Sequence, residues 1–129
     1  MTIELDMLAL SVVLGFVHIA LQGLTATSQY GVAWNAGPRD EAMPPLNSMA
    51  GRMRRALANF FETFPLFAAA VLIAHVAGKD SQATMWGAQL YFWGRVVYVP
   101  LYAFGVPFVR TLVWIVATIG IVMILVALV

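Results

Sequence analysis

Between Leu112 and the final residue, Val129, no side chain carries a charge and Thr118 is the one hydroxyl. A stretch this apolar and this long can hardly fold as anything but a helix in lipid. About 20 apolar residues cross the ~30 Å hydrocarbon layer, and a helix satisfies its own backbone polar groups there. Three further segments share the pattern, so the chain reads as one domain, residues 1–129, with helices at about 3–25, 47–77, 81–103 and 108–128. Composition agrees. With 62% hydrophobic and 10% charged residues in 129, there is more apolar surface than one small soluble core can hide. The apolar runs are continuous, not alternating, which disfavours a membrane β-barrel. The expected fold class is therefore an all-α integral membrane protein, a four-transmembrane-helix up-down bundle.

The punctuation between the runs supports this layout. Gly31 to Asn47 holds Pro38, Pro44 and Pro45 and reads as a loop. Gly78-Lys79-Asp80-Ser81 reads as a tight turn, with Asp80 or Ser81 capping the third helix, and Gly105-Val106-Pro107 separates the third from the fourth. Glu4 and Asp6 stand where a cleavable signal would be positive, so the first segment is expected to stay as a span. Up-down order gathers Arg39, Arg52, Arg54, Arg55, Arg95 and Arg110 toward one end and leaves Lys79 at the other. The positive-inside tendency then predicts an arginine end in the cytoplasm and both termini outside. A net charge of +1 without a basic arm gives no reason to expect nucleic acid. With no cysteine, any thiol chemistry must use a thiol brought by a ligand.

Polar residues on these helices fall into stripes. Arg52, Arg55, Asn59 and Glu62 recur at three- and four-residue spacings, within about 80° of one helix face. From Phe64 to Ala77 that helix is almost wholly apolar, so the stripe enters the hydrocarbon, where ionisable groups are functional candidates by default. Tyr91, Arg95, Tyr98 and Tyr102 share a face of the third helix, and Pro100 removes a backbone hydrogen bond beside them. Rise and direction put Glu62 and Arg95 at one depth, where a buried ion pair is expected. Arg110 and Thr111 open the fourth helix at that level, where uncapped N–H groups and a guanidinium favour an anion and lower the pKa of a nearby thiol. The plainer readings are an interfacial collar for Arg52, Arg54 and Arg55, a structural Glu62–Arg95 clasp, and a cytoplasmic anchor at Arg110. Ser11, Gly15, His18 and Gln22 form a quieter stripe that reads as close helix packing. No second ligand accompanies His18 at metal spacing, so no metal is expected, and His75 reads as incidental. If the stripes instead faced one common axis, the bundle would be a pore or transporter subunit.

Two motifs, Arg52-x-x-Arg55-x-x-x-Asn59-x-x-Glu62-x-x-Pro65-Leu66-Phe67 and Arg95-x-x-Tyr98-x-x-x-Tyr102, together resemble the MAPEG family. These are the membrane-associated proteins of eicosanoid and glutathione metabolism, microsomal glutathione transferases among them. The resemblance covers essentially the whole chain. It implies a homotrimer binding glutathione in clefts between subunits, open to the cytoplasm. By motif match Arg55, Asn59 and Glu62 would contact the tripeptide, with Arg52 at the mouth and Arg95, Tyr98 and Tyr102 lining the cleft. Arg110 would be the catalytic residue, holding the glutathione thiolate. The implied function is glutathione transferase or peroxidase activity on lipophilic electrophiles from the surrounding membrane lipids. The alternative is a non-catalytic lipid-binding or scaffold protein of the same fold. Leu57, Ala58 and the non-basic end of the first helix resemble a general, bacterial-type member, implying a bacterial inner membrane.

Overall fold

The computed structural model describes residues 1–129 and contains only helices: α1 (Ile3–Tyr30), α2 (Val32–Ala36), α3 (Ser48–Val76), α4 (Gln82–Ala103) and α5 (Val109–Val126). Side chains start most of the long ones. The Thr2 hydroxyl accepts from the Leu5 N–H and the Asn47 amide oxygen from the Ala50 N–H, at 3.3 and 2.9 Å. At α4 the cap is Ser81, which forms a reciprocal capping box with Thr84. No side chain caps α5; it begins at Phe108, held in the left-handed region at φ 67°.

Helix ends depart from the sequence reading in one place. α1 continues through the polar run beyond residue 25 to Tyr30, because the Thr25 hydroxyl donates back to the Leu21 carbonyl at 2.7 Å and so sits comfortably inside a helix. Gly31, at φ 95°, then ends it. The loop that follows contains the short α2, which the sequence reading did not anticipate.

The four long helices alternate in direction. Leu5, Met7, Leu8 and Leu128 pack on a core of Phe67, Ala70, Val71, Ala74, Ala88, Tyr91, Ala117, Ile121 and Ile124, so the start of α1, the ends of α3 and α5 and the start of α4 share one half of the bundle. In the other half, Ala56, Tyr98, Val109 and Val113 form a smaller core flanked by Tyr102. α4 and α5 cross at Gly87 and Gly120, where a Cβ on either would lie 2.6 Å from the other's carbonyl oxygen. Only glycine permits that approach, the close-packing device of membrane helices.

Three helices, α1, α3 and α5, are long and apolar enough to cross a membrane, with mean hydropathies of 2.0, 1.7 and 2.4. α4, at 22 residues, is long enough but is not among them. Its polar side chains account for this, since Thr84, Tyr91, Arg95 and Tyr98 are all buried inside the bundle, where they need not meet lipid. Outward-facing Phe16, Leu66, Trp86, Leu112 and Val126 are each more than half exposed on the single chain. Surface of that kind belongs against lipid or another apolar partner.

Candidate functional site

The arginine half of the bundle holds the polar stripes, joined in a ladder across α3 and α4. At the outer rung, the Arg52 guanidinium donates to the Ala103 carbonyl at 3.1 Å. It also packs against Gly105, where a Cβ would lie 2.9 Å from Nη2 and where φ is 71°. Glycine is needed there for both reasons, and Arg52 is spent on fastening the α4–α5 turn. One turn inward, Arg55 Nε donates to the Tyr102 hydroxyl at 3.0 Å. Tyr102 stacks on Tyr98 with ring centroids 5.1 Å apart and planes 12° from parallel. Arg95 lies over the other side of this stack, its guanidinium carbon 4.5 Å from the Tyr98 ring centre, and donates from Nη1 to the Asn59 amide oxygen at 2.6 Å.

Arg95 is wholly buried, yet Asn59 is its one hydrogen-bond partner; Nε and Nη2 have none, and neither does the buried Tyr98 hydroxyl. Guanidinium carries five N–H donors and buried polar groups are nearly always paired, so this is an unusual concentration of unmet demand. The expected Glu62–Arg95 ion pair is not formed. The one acid–base side-chain contact within ion-pair distance joins His75 Nδ1 to Asp80 across the α3–α4 turn, at 3.0 Å, and gives His75 a structural tie. Glu62 is exposed and turned toward α5, while Arg95 is turned toward Asn59 and the aromatic stack. Rise along a helix fixes depth but not the direction in which two side chains leave their helices.

Glu62 instead faces a cavity of about 260 Å³ between α3 and α5, lined by Asn59, Glu62, Arg110, Thr111 and Trp114. A carboxylate, an amide and a guanidinium therefore share one recess, at the uncapped first turn of α5. Asn59 belongs to both groups, bonded to Arg95 on one side and lining the recess on the other. Of the predicted site residues, Asn59, Glu62 and Arg110 converge directly. Arg55, Arg95, Tyr98 and Tyr102 form the adjoining ladder, and Arg52 sits at its outer end. Tyr91 belongs elsewhere: its hydroxyl is hydrogen-bonded to Thr63 at 3.0 Å and its ring stacks on Phe67, within the apolar core.

Sequence reasoning missed two contributors. Trp114 lines the recess, and its spacing of four from Arg110 was the available signal. Phe60 is fully buried, 5.4 Å from the Arg95 guanidinium carbon, and stacks on His18 at 4.9 Å. His18 packs in the α1–α3 seam beside Gly15, as the small-residue stripe implied, but its Nε2 has no partner. Phe60, His18 and Arg95 fill the space where α1, α3 and α4 meet, so the stripes do not face a water-filled axis within the bundle.

An all-helical protein with membrane-length apolar helices and a recessed cluster of arginine, asparagine, glutamate and tyrosine is the class this geometry defines. The MAPEG family model matches residues 7–129, nearly the whole chain, and the protein belongs to that family. It is thus an integral membrane protein of the glutathione and eicosanoid metabolism family. No curated protein and no solved structure matches the chain.

Proposed function

We propose that the protein binds glutathione at the arginine end and uses it to conjugate, or to reduce, a lipophilic electrophile arriving from the bilayer. The observation that carries the reading is the recess where Asn59, Glu62 and Arg110 meet beside the Arg55–Tyr102–Tyr98–Arg95 ladder. Glutathione presents two carboxylates, one ammonium and a thiol. Glu62 suits the ammonium and Arg55 a carboxylate, with Asn59 and Tyr102 supplying hydrogen bonds, while the buried, partly unpaired Arg95 and Tyr98 would reach the ligand only after their side chains shift. Arg52 would stand at the mouth.

Arg110 would hold the thiol as thiolate, lowering its pKa by direct charge and by the uncapped start of α5. The thiol proton leaves to water. In conjugation the sulfur lone pair forms a C–S bond while a leaving group departs with its electron pair, or the activated carbon skeleton takes up a proton. In reduction the thiolate attacks a peroxide oxygen, the O–O bond breaks to release the alcohol, and a second glutathione thiol displaces water from the resulting sulfenic acid to leave the disulfide.

At about 260 Å³ the recess is smaller than the ~300–1,000 Å³ usual for ligand sites, and walls from outside the single chain would complete it. A homotrimer with the site between subunits supplies them and also covers part of the exposed apolar surface. In this arrangement α4 is a fourth span and both termini lie outside. The arginine end faces the cytoplasm, with a bacterial inner membrane as the setting. One observation favours the non-catalytic alternative: Arg52 is engaged by Ala103 and Gly105, and Arg95 by Asn59, as fold-holding contacts.

Calorimetry on the detergent-purified protein separates the two. Saturable glutathione binding that is lost in Glu62→Gln is the expected result. No binding by a folded, assembled protein overturns the reading in favour of the scaffold. If binding occurs, Arg110→Ala is expected to lower the conjugation rate far more than the affinity, and to remove thiolate absorbance on binding.

A further inference from the structure

The loop between α1 and α3 is folded against the end of α1. Gln29 donates to the Pro45 carbonyl at 2.9 Å and accepts from the Asn47 N–H at 2.7 Å, and the Tyr30 hydroxyl donates to the Pro44 carbonyl. Asn35 donates to the Thr27 hydroxyl at 2.6 Å. Beside these ties lies a second, open cavity of about 490 Å³, whose walls include Tyr30, Trp34, Arg39, Asp40, Glu41 and Met43. None of its residues lines the Asn59–Arg110 recess.

Three consecutive charged residues, Arg39, Asp40 and Glu41, share this cavity, and none lies within ion-pair distance of another. Arg39 adopts φ 60°, a conformation uncommon outside glycine. Its guanidinium lies 4.3 Å over the Trp34 ring and donates from Nη2 to the Asn35 carbonyl at 3.2 Å, leaving most of its N–H groups free. Asp40 and Glu41 are exposed and unpaired beside it. A cation and two carboxylates held apart in one cavity fit a ligand that is itself a zwitterion.

Depth and chemistry say which. α1 has 28 residues, about 42 Å at ~1.5 Å per residue, against ~30 Å of hydrocarbon, and its last turns run through the polar Thr25, Thr27, Ser28 and Gln29, which places the Tyr30 end at the level of the lipid headgroups. Tyr30 and Trp34, in edge contact at 4.8 Å, are the aromatic types that settle at that level. Trp34 already has Arg39 against its face and Tyr30 at its side, so no open aromatic cage is left for a quaternary ammonium. Free carboxylates suit instead a primary ammonium with N–H groups to donate. We infer that the α1–α3 loop cavity is a phosphatidylethanolamine headgroup site, with Arg39 on the phosphodiester, Asp40 and Glu41 on the ammonium, and Met43 at its apolar edge.

Native mass spectrometry of the full-length protein, titrated with phosphatidylethanolamine, phosphatidylcholine and phosphatidylglycerol of identical acyl chains, tests this directly. The ethanolamine lipid is expected to bind about tenfold or more tightly than the choline lipid, the scale of a charge-assisted hydrogen bond. Asp40→Asn with Glu41→Gln should erase that preference, whereas Arg39→Gln should weaken both zwitterionic lipids. Equal binding of the two, strongest binding of the anionic lipid, or a preference that survives the double substitution overturns the assignment. Soluble glycerophosphoethanolamine is the control for a free ligand: failure to displace the lipid at matching concentration supports a membrane source, and ready displacement overturns it. Glutathione affinity should be the same in both variants, which separates this proposal from the one above.

Discussion

The two halves of this bundle solve the same problem with opposite economies. Around Gly87 and Gly120 the helices touch backbone to backbone, and buried Thr63, Tyr91 and Thr84 each make a hydrogen bond within the chain. Around Arg95, one hydrogen bond serves a wholly buried guanidinium, and a buried tyrosine hydroxyl has no partner. The half that holds the fold closes its accounts internally. The half that carries the candidate site leaves hydrogen-bonding capacity unspent, as a place prepared for a polar ligand would.

That contrast breaks most readily at the helix crossing. Gly120→Val pushes side-chain atoms into the Gly87 carbonyl and should destabilise by about 3 kcal/mol, the upper range for overpacking. Thermal unfolding in detergent measures it, and an unchanged midpoint would mean that α4 and α5 do not meet there. In the arginine half, Asn59→Ala strips Arg95 of its hydrogen-bond partner and should cost about 2 kcal/mol. Asn59→Asp, which offers a carboxylate instead, should recover stability, and equal losses in both would sever the Asn59–Arg95 link.

The two tyrosines sharpen the comparison further. Tyr91→Phe removes the bond to Thr63 and should cost about 1 kcal/mol. Tyr98→Phe removes a buried hydroxyl that bonds nothing, and should cost less than about 0.5 kcal/mol or even stabilise. The reverse order would show that the arginine half is satisfied after all. Smallest of all should be the stability effect of Arg110→Ala, since Arg110 is exposed and makes no hydrogen bond within the chain; its effect belongs to the conjugation rate.

What the sequence disclosed and what it withheld follow from the same physics. Helical periodicity put Arg55, Asn59 and Glu62 on one face and Arg95, Tyr98 and Tyr102 on another, because a helix makes spacing into geometry. Periodicity does not say where a stripe points relative to its neighbours. Hence Glu62 was paired with Arg95 on paper but faces Arg110 in space, and Tyr91 shared a stripe with Arg95 but joins the apolar core. Trp114 was hidden because an indole in an apolar helix looks like lipid-facing surface until its neighbours are known. The α1–α3 loop was hardest to read: its shape depends on Gln29, Tyr30 and Asn35 reaching backbone and side-chain atoms eight to eighteen residues away, which local propensity does not encode.

The central claim is that the arginine half is kept open for glutathione. Hydrogen–deuterium exchange of the purified protein, with and without glutathione, tests it most directly. Protection gained across residues 52–62 and 95–114, with the Phe67–Ile124 half unchanged, is the predicted result. No change anywhere, or protection confined to the glycine-crossing half, would contradict it.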